Sequence, residues 1–292
     1  MRARAAVAVA LTALALTAAA MAQAPAPPAG NFGGGRVVPL PADPQGAGNA
    51  VIGMRATPGK LQIEATLRGN CGGGTFSART AIASDGSFLA KGTHRRGPEP
   101  GVRVKTVYEI AGTLTAGGVQ QGTAKATNEI RVAGQDTVSC KSGPVSFNAR
   151  RPSGQIGTPG AAPDARYFGV TSEKRHGVRR GIVLRVSSDA KTLTRALYAV
   201  TQRCNKRTLP ADFIDTPRRN LKIDSKGRVK DRVGFTIRDG KTATRFEERF
   251  SGTLGSAGAK GTLSFTDRTT SRKTGKLLET CTTGSIRWKT AP

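Results

Sequence analysis

GTLTAGGVQQGTAKATNEIRVAGQDTVSCKSGPVSFNA, residues Gly112 to Ala149, recurs at Gly252 to Thr290 as GTLGSAGAKGTLSFTDRTTSRKTGKLLETCTTGSIRWKT. Both stretches open on Gly-Thr-Leu, cross a glycine-containing turn and resume at Gly-Thr. Both close on Cys-x-[Ser/Thr]-Gly-x-[Val/Ile]-x-[Phe/Trp]. Internal self-similarity of this length points to two copies of one structural unit. Upstream of it the correspondence continues. Leu61, Ile63, Ala65 and Leu67 alternate in the first copy, and Leu193, Leu197 and Ala199 in the second. The apolar period is two throughout, as in half-buried strands, with no sustained helical period. Turn chemistry separates the strands at Ser84-Asp85-Gly86 and at Asp224-Ser225-Lys226-Gly227. The pattern predicts an all-β chain of two tandem antiparallel domains, each a β-sandwich or meander barrel of seven to eight strands.

Parity within the closing motif adds a detail. Val138 and Cys140 belong to one strand face, and so do Val145 and Phe147, but the two pairs sit at an odd offset. Cys281, Ile286 and Trp288 repeat the arrangement. Side chains alternate strictly along a strand. A bulge or tight turn at Gly143 and Gly284 is therefore expected to restore the inward direction.

The chain begins with a leader-like segment. Arg2 and Arg4 precede an apolar run from Ala5 to Ala20, and Ala20-Met21-Ala22 fits a small-x-small cleavage site. Residues 1–22 are read as a secretory signal peptide, and the mature chain has no other stretch long and apolar enough to span a membrane. Residues 23–30 are a Pro/Ala-rich tether, 31–150 the first domain, 151–165 a Pro/Gly-rich linker, and 166–292 the second domain. Each domain has ample chain for one core. Export places the four cysteines in an oxidising compartment, where they pair. Cys71 and Cys140 lie in one copy, Cys204 and Cys281 in the other at a similar separation, so the expected bridges are Cys71–Cys140 and Cys204–Cys281. Loops of this length contribute roughly 4 kcal/mol each through denatured-state entropy.

The formal charge of +27 is concentrated in the second copy. Residues 31–150 carry 14 basic and 7 acidic side chains; residues 166–292 carry 29 and 11. Arginines outnumber lysines 30 to 16, and a guanidinium suits bidentate contact with phosphate or carboxylate. The local clusters single out Arg179, Arg180, Arg218, Arg219, Lys222, Arg228, Lys230 and Arg232 as candidate anion-binding residues. An exported protein of this charge meets anionic cell-wall polymers and acidic polysaccharide. Extracellular nucleic acid is disfavoured, because aromatic residues for base stacking are not interleaved with the basic runs.

No catalytic, metal or cofactor signature emerges. Clustered zinc ligands, a calcium loop, a Walker loop and a nucleophile elbow are all missing from the sequence. His94 and His176 sit in polar, glycine-flanked segments and read as exposed loop residues. Phe147 and Trp288, at matched motif positions, read as core. Leu277-Leu278-Glu279-Thr280-Cys281 followed by Arg287 partly resembles the active-site strand of sortase transpeptidases. That resemblance would make Cys281 the nucleophile, His176 the base and Arg287 the oxyanion cation. The recurrence of a cysteine at position 140 without such a motif favours a structural bridge instead.

At the Cys-x-[Ser/Thr]-Gly-x-[Val/Ile]-x-[Phe/Trp] element the chain resembles a group of uncharacterised exported bacterial proteins built from one-disulfide all-β domains. The resemblance implies fold and export but no activity. The leading expectation is a non-enzymatic, exported binding module for an anionic partner. The alternative is a structural envelope protein whose charge serves solubility.

Overall fold

The alternating valine, isoleucine, threonine and aromatic residues that predicted strands do form them. The computed structural model describes residues 28–38, 48–97, 101–205, 208–216 and 220–292, excepting the side chains of 72, 73 and 208–216. The leader 1–22, most of the tether, and Arg218 and Arg219 lie outside the described residues. Among the described residues no helix occurs, and therefore none long and apolar enough to cross a membrane.

The first sheet comprises β1 (Gly30–Arg36), β2 (Ala50–Thr57), β3 (Lys60–Gly69), β4 (Gly72–Ala81), β5 (Ser87–Arg96), β6 (Val102–Thr115), β7 (Gly118–Val132) and β8 (Val138–Arg150). Its order is β4-β3-β2-β1-β8-β7-β6-β5, antiparallel throughout. This is an up-and-down meander in which β8 returns to pair with β1. The two ends of the sheet, β4 and β5, are consecutive in sequence, and Thr80 Oγ1 donates to the Leu89 carbonyl across the seam at 2.8 Å. The sheet thus curls into a barrel, which settles the choice between sandwich and barrel. Phe32, Ile52, Met54, Leu61, Ile63, Leu67, Phe76, Ile110 and Phe147 fill it. Eight strands enclose about the volume that such side chains occupy.

The second sheet comprises β9 (Arg166–Arg175), β10 (Val178–Val186), β11 (Thr192–Cys204), β12 (Thr208–Thr216), β13 (Leu221–Lys222), β14 (Arg228–Asp239), β15 (Thr242–Gly255), β16 (Gly258–Ser271), β17 (Leu277–Thr282) and β18 (Ile286–Ala291). Its main path, β12-β11-β10-β9-β18-β16-β15-β14, reproduces the order of the first. It has ten strands rather than seven or eight for two reasons. A short β13 is added against β11, and the last strand is divided. β17 pairs with β16 and β11, whereas β18 pairs with β16 and β9. The division falls at Gly284, whose φ of 64° is left-handed. In the first barrel the same change of parity is a register slip inside β8 at Gly143, φ 88°. Cys140 and Val145 are consequently both buried despite their odd spacing, and the same holds for Cys281 and Ile286.

Both expected disulfides are present, with sequence separations of 69 and 77. Each ties the end of the barrel's third strand to its last. Cys204 and Cys281 are direct cross-strand neighbours.

The opening glycines and the closing aromatic of the motif form one packing unit. A Cβ at Gly252 or Gly261 would lie 2.4 or 2.5 Å from the Trp288 ring, and one at Gly122 2.5 Å from Phe147. Bare backbone is what seats the Trp288 ring, which stacks on Phe250 at 5.2 Å.

The barrels pack against each other through β1 and β2 on β9 and β10. Val37, Val51, Phe168, Val183, Leu197 and Ala199 form a buried cluster between them. The backbones approach so closely that a Cβ at Gly33 would meet the Gly169 carbonyl at 2.0 Å, and one at Gly53 the Arg179 carbonyl at 1.9 Å. The segment expected as a free linker is also fixed. Ala257 N donates to Ile156 O, Ser256 N to Thr158 O and Gly160 N to Leu254 O, so it runs along the β15–β16 turn.

Candidate functional site

β18, β16, β15 and β14 lie side by side in the second barrel. Alternate residues point inward, and Val229, Phe250, Leu263, Ile286 and Trp288 are buried. The intervening residues face solvent. They are Arg228, Lys230 and Arg232 on β14, Arg245 and Arg249 on β15, Lys260 and Arg268 on β16, and Arg287 and Lys289 on β18, all exposed. Ser251, Thr253, Thr262, Ser264 and Thr266 stand between them on the same side. The face carries one carboxylate among its described residues, Glu247, which lies 3.1 Å from Arg245 and 3.8 Å from Arg232. At its rim Arg228 Nε donates to Asp224 at 2.7 Å. None of these outward positions is aromatic.

Strand register makes the charge unusual. Arg232 is directly opposite Arg249, Arg245 opposite Arg268, and Lys260 opposite Lys289. Cβ atoms in such pairs are about 5 Å apart, and like charges there are destabilising. Neighbouring strands are about 4.8 Å apart and successive outward residues about 6.8 Å. Lys230 and Arg232 thus lie within one ~10 Å screening length of Arg249, as Arg287 and Lys289 do of Lys260, while Arg245 and Arg268 form a pair of their own.

At the positions that correspond to the first two of these pairs the first barrel has ion pairs instead, although cations are opposed elsewhere on that face, Arg95 to Lys105 and Arg103 to Arg131. Lys91 faces Glu109 and Glu109 faces Lys125, with both ammonium groups 3.2 Å from the carboxylate. Lys105 faces Glu129 at 3.1 Å. Hydrogen bonds from Lys125 and Lys91 hold the Glu109 carboxyl below its ordinary range.

No family model, curated protein or solved structure matches the chain.

Of the cations singled out in sequence, the structure brings Arg228, Lys230 and Arg232 onto this face. Lys222, on β13, is exposed but lies off these strands. Arg179 is half-buried on β10, its Nη1 3.5 Å from the Thr171 carbonyl. Arg180 is a correction. It is 2% exposed, with Nε 3.6 Å from Glu173, so its charge is paired inside the barrel, on the face that Val178, Ile182 and Leu184 also bury. Sequence clustering passed over Arg245, Arg249, Lys260, Arg268 and Lys289, and considered Arg287 only as a catalytic cation. Each is isolated among neutral residues or beside an acid, and only hairpin register assembles them.

Other clusters are structural. His176 is in the β9–β10 turn but is not a bystander, and His94 lies on β5 rather than in a loop. His176 Nδ1 sits 2.8 Å from Glu64 Oε1 and 3.0 Å from Ser77 Oγ, and Ser77 donates to the same carboxylate oxygen at 2.5 Å. A nucleophile relay needs the hydroxyl and the carboxylate on different ring nitrogens. Here both meet Nδ1, so the group is a polar staple between the barrels. Burial, together with Arg175 and Arg96, lowers the pKa of His94 beside it. Cys281 is bonded to Cys204 and offers no thiolate for transpeptidation. Glu279 lies against these two sulfurs, but a disulfide is not a zinc ligand set. Inside the second barrel Gln202 donates to Asp267 at 2.9 Å. Desolvation, with Glu279 nearby, pushes the Asp267 pKa up. Its counterpart in the first barrel, opposite Cys140 as Asp267 is opposite Cys281, is Asn128.

Proposed function

We propose that this is an exported, non-catalytic protein whose second barrel holds an anionic polymer, a cell-wall phosphate polymer or an acidic polysaccharide, against the outer face of β14, β15, β16 and β18. The observation that carries the reading is the three directly opposed cation pairs. Where the second barrel opposes Arg232 to Arg249 and Arg245 to Arg268, the first sets Lys91 against Glu109 and Lys105 against Glu129; a face that receives a polyanion is relieved of its repulsion on binding. The leader-like N-terminus and the two disulfides support export. The lack of outward aromatics on this face favours a saccharide or phosphate backbone over stacked bases.

The test is binding of the full-length mature protein to immobilised polyphosphate and to polygalacturonate across a salt series. Affinity should fall steeply with salt. The double variant Arg249→Gln/Arg268→Gln should reduce the slope of log affinity against log salt by about two, one for each cation removed. Salt-insensitive binding, or none to either polymer, would leave the charge a solubility device and end this reading.

A further inference from the structure

The basic face borders a cleft of about 520 Å³ where β9 and β10 meet β16 and β18. Arg179, Lys260, Arg287 and Lys289 line it, with Ser172 and Thr262, and no carboxylate does. One wall is the segment between the barrels. Gly154 reaches the lining, held there as Ser153 Oγ donates to Ala257 O at 3.1 Å. The Ser172 oxygen accepts the backbone N–H of Arg287 at 3.0 Å, which leaves its hydroxyl hydrogen to donate into the cleft.

The first barrel supplies an internal control. Gly261 pairs with Trp288 as Gly122 pairs with Phe147, so Arg287 stands where the first barrel has Ser146 and Lys289 where it has Asn148. Lys260 occupies alone the place where a bulge in the first barrel sets Gln120 and Gln121 against Asn148. The second barrel thus has three cations at a spot where the first has only neutral polar residues, and a fourth cation arrives from β10. Resting on the reading of this face as anion-binding, we propose that the cleft is a discrete phosphate-group site. It would fix one phosphate of a chain by guanidinium forks from Arg179 and Arg287, ammonium groups from Lys260 and Lys289, and the Ser172 and Thr262 hydroxyls. Guanidinium forks matched to paired oxygens favour phosphate over a lone carboxylate.

The experiment is titration of the full-length mature protein with inorganic phosphate, and separately with acetate at the same ionic strength, followed by amide chemical shifts. Phosphate should saturate, with shifts centred on Ser172, Thr262 and Arg287, and acetate should not. Arg287→Ser/Lys289→Asn restores the residues of the first barrel at exposed positions and should weaken phosphate binding about tenfold or more, whereas Lys60→Gln, exposed on the first barrel, should change it less than about twofold. Polyphosphate of several units, run in parallel, separates sources. Tighter binding than inorganic phosphate, lost with the same pair, places a chain across the cleft; equal affinity places a free ion there. Equal weak shifts with phosphate and acetate, or an Arg287→Ser/Lys289→Asn variant as effective as the parent, would overturn the cleft. Polymer binding that survives in that variant with an undiminished salt slope would do so too, while leaving the wider face intact.

Discussion

Asp267 is a carboxylate where the other barrel uses an amide. Its folded pKa is raised by burial, so its contribution to stability is intact below its unfolded pKa of about 3.9. It is lost as pH rises through the folded value. At neutral pH the charged form is held in a poor place. Asp267→Asn keeps an oxygen for Gln202 and should raise stability at pH 7. That gain should shrink towards zero at pH 4. Denaturant midpoints at the two pH values read the difference; a gain equal at both would show that the charge is immaterial. The seat of Trp288 makes a second residue-level case. Gly252→Ala puts a methyl within 2.5 Å of the ring and should lower stability by about 1–3 kcal/mol. Trp288→Phe in the same chain should recover part of it, with a coupling of at least about 0.5 kcal/mol by circular dichroism melts. Additive losses would mean that ring and glycine do not share a space. Much of this scale was readable in sequence. The cysteine pairing, the parity change at Gly143 and Gly284 and the inward direction of Phe147 and Trp288 follow from local spacing. The mutual fit of glycine and ring did not, because Gly252 and Trp288 lie on different strands.

β14, β15 and β16 show why the strands were easier to read than the face they build. Each strand announces itself by alternation, and each turn by its Asp-Gly or Asp-Ser-Lys-Gly chemistry. Which cation opposes which depends on register, and register depends on turn length and bulges outside the strand. Runs such as Lys226 to Arg232 therefore drew attention, while Arg249 and Arg268 looked like isolated charges. Arg180 misled in the other direction, since alternation along β10 sends one member of the Arg179-Arg180 pair to the interior beside Val178 and Ile182. The opposed pairs predict a measurable separation of stability from binding. Arg249→Gln removes the repulsion with Arg232, so the melting temperature should stay the same or rise by about a degree or two. Affinity for polyphosphate should fall in the same variant. A variant that loses stability along with binding would show that Arg249 is a structural residue of the sheet.

The two barrels were expected as beads on a string, and the whole molecule is instead one packed body. Proline- and glycine-rich composition marks a segment that cannot be a strand or a helix, but it does not say whether neighbouring turns will accept its hydrogen bonds; here those of β15 and β16 do. Nor does alternation reveal that the outer face of β2, with Gly53 between Val51 and Arg55, is shaped for a second barrel. The junction is made of near-contact between backbones, a buried apolar cluster and the Glu64–His176 staple. Gly53 abuts the carbonyl of Arg179, whose side chain lines the phosphate cleft. Packing between the barrels thus sets the position of one of the cleft's four cations. Gly53→Ala cannot be absorbed by a rotamer change, because the clashing atom is main chain at 1.9 Å. Either β10 shifts or the barrels part. The parent should melt in one calorimetric transition, since a buried apolar cluster joins the barrels. Gly53→Ala should split or broaden it, and weaken inorganic phosphate binding several-fold although every cleft side chain is retained. A single, sharp, unshifted transition in this variant would mean that the junction has slack and that each barrel holds its own shape. Normal phosphate affinity beside a split transition would mean that Arg179 finds its place from the second barrel alone.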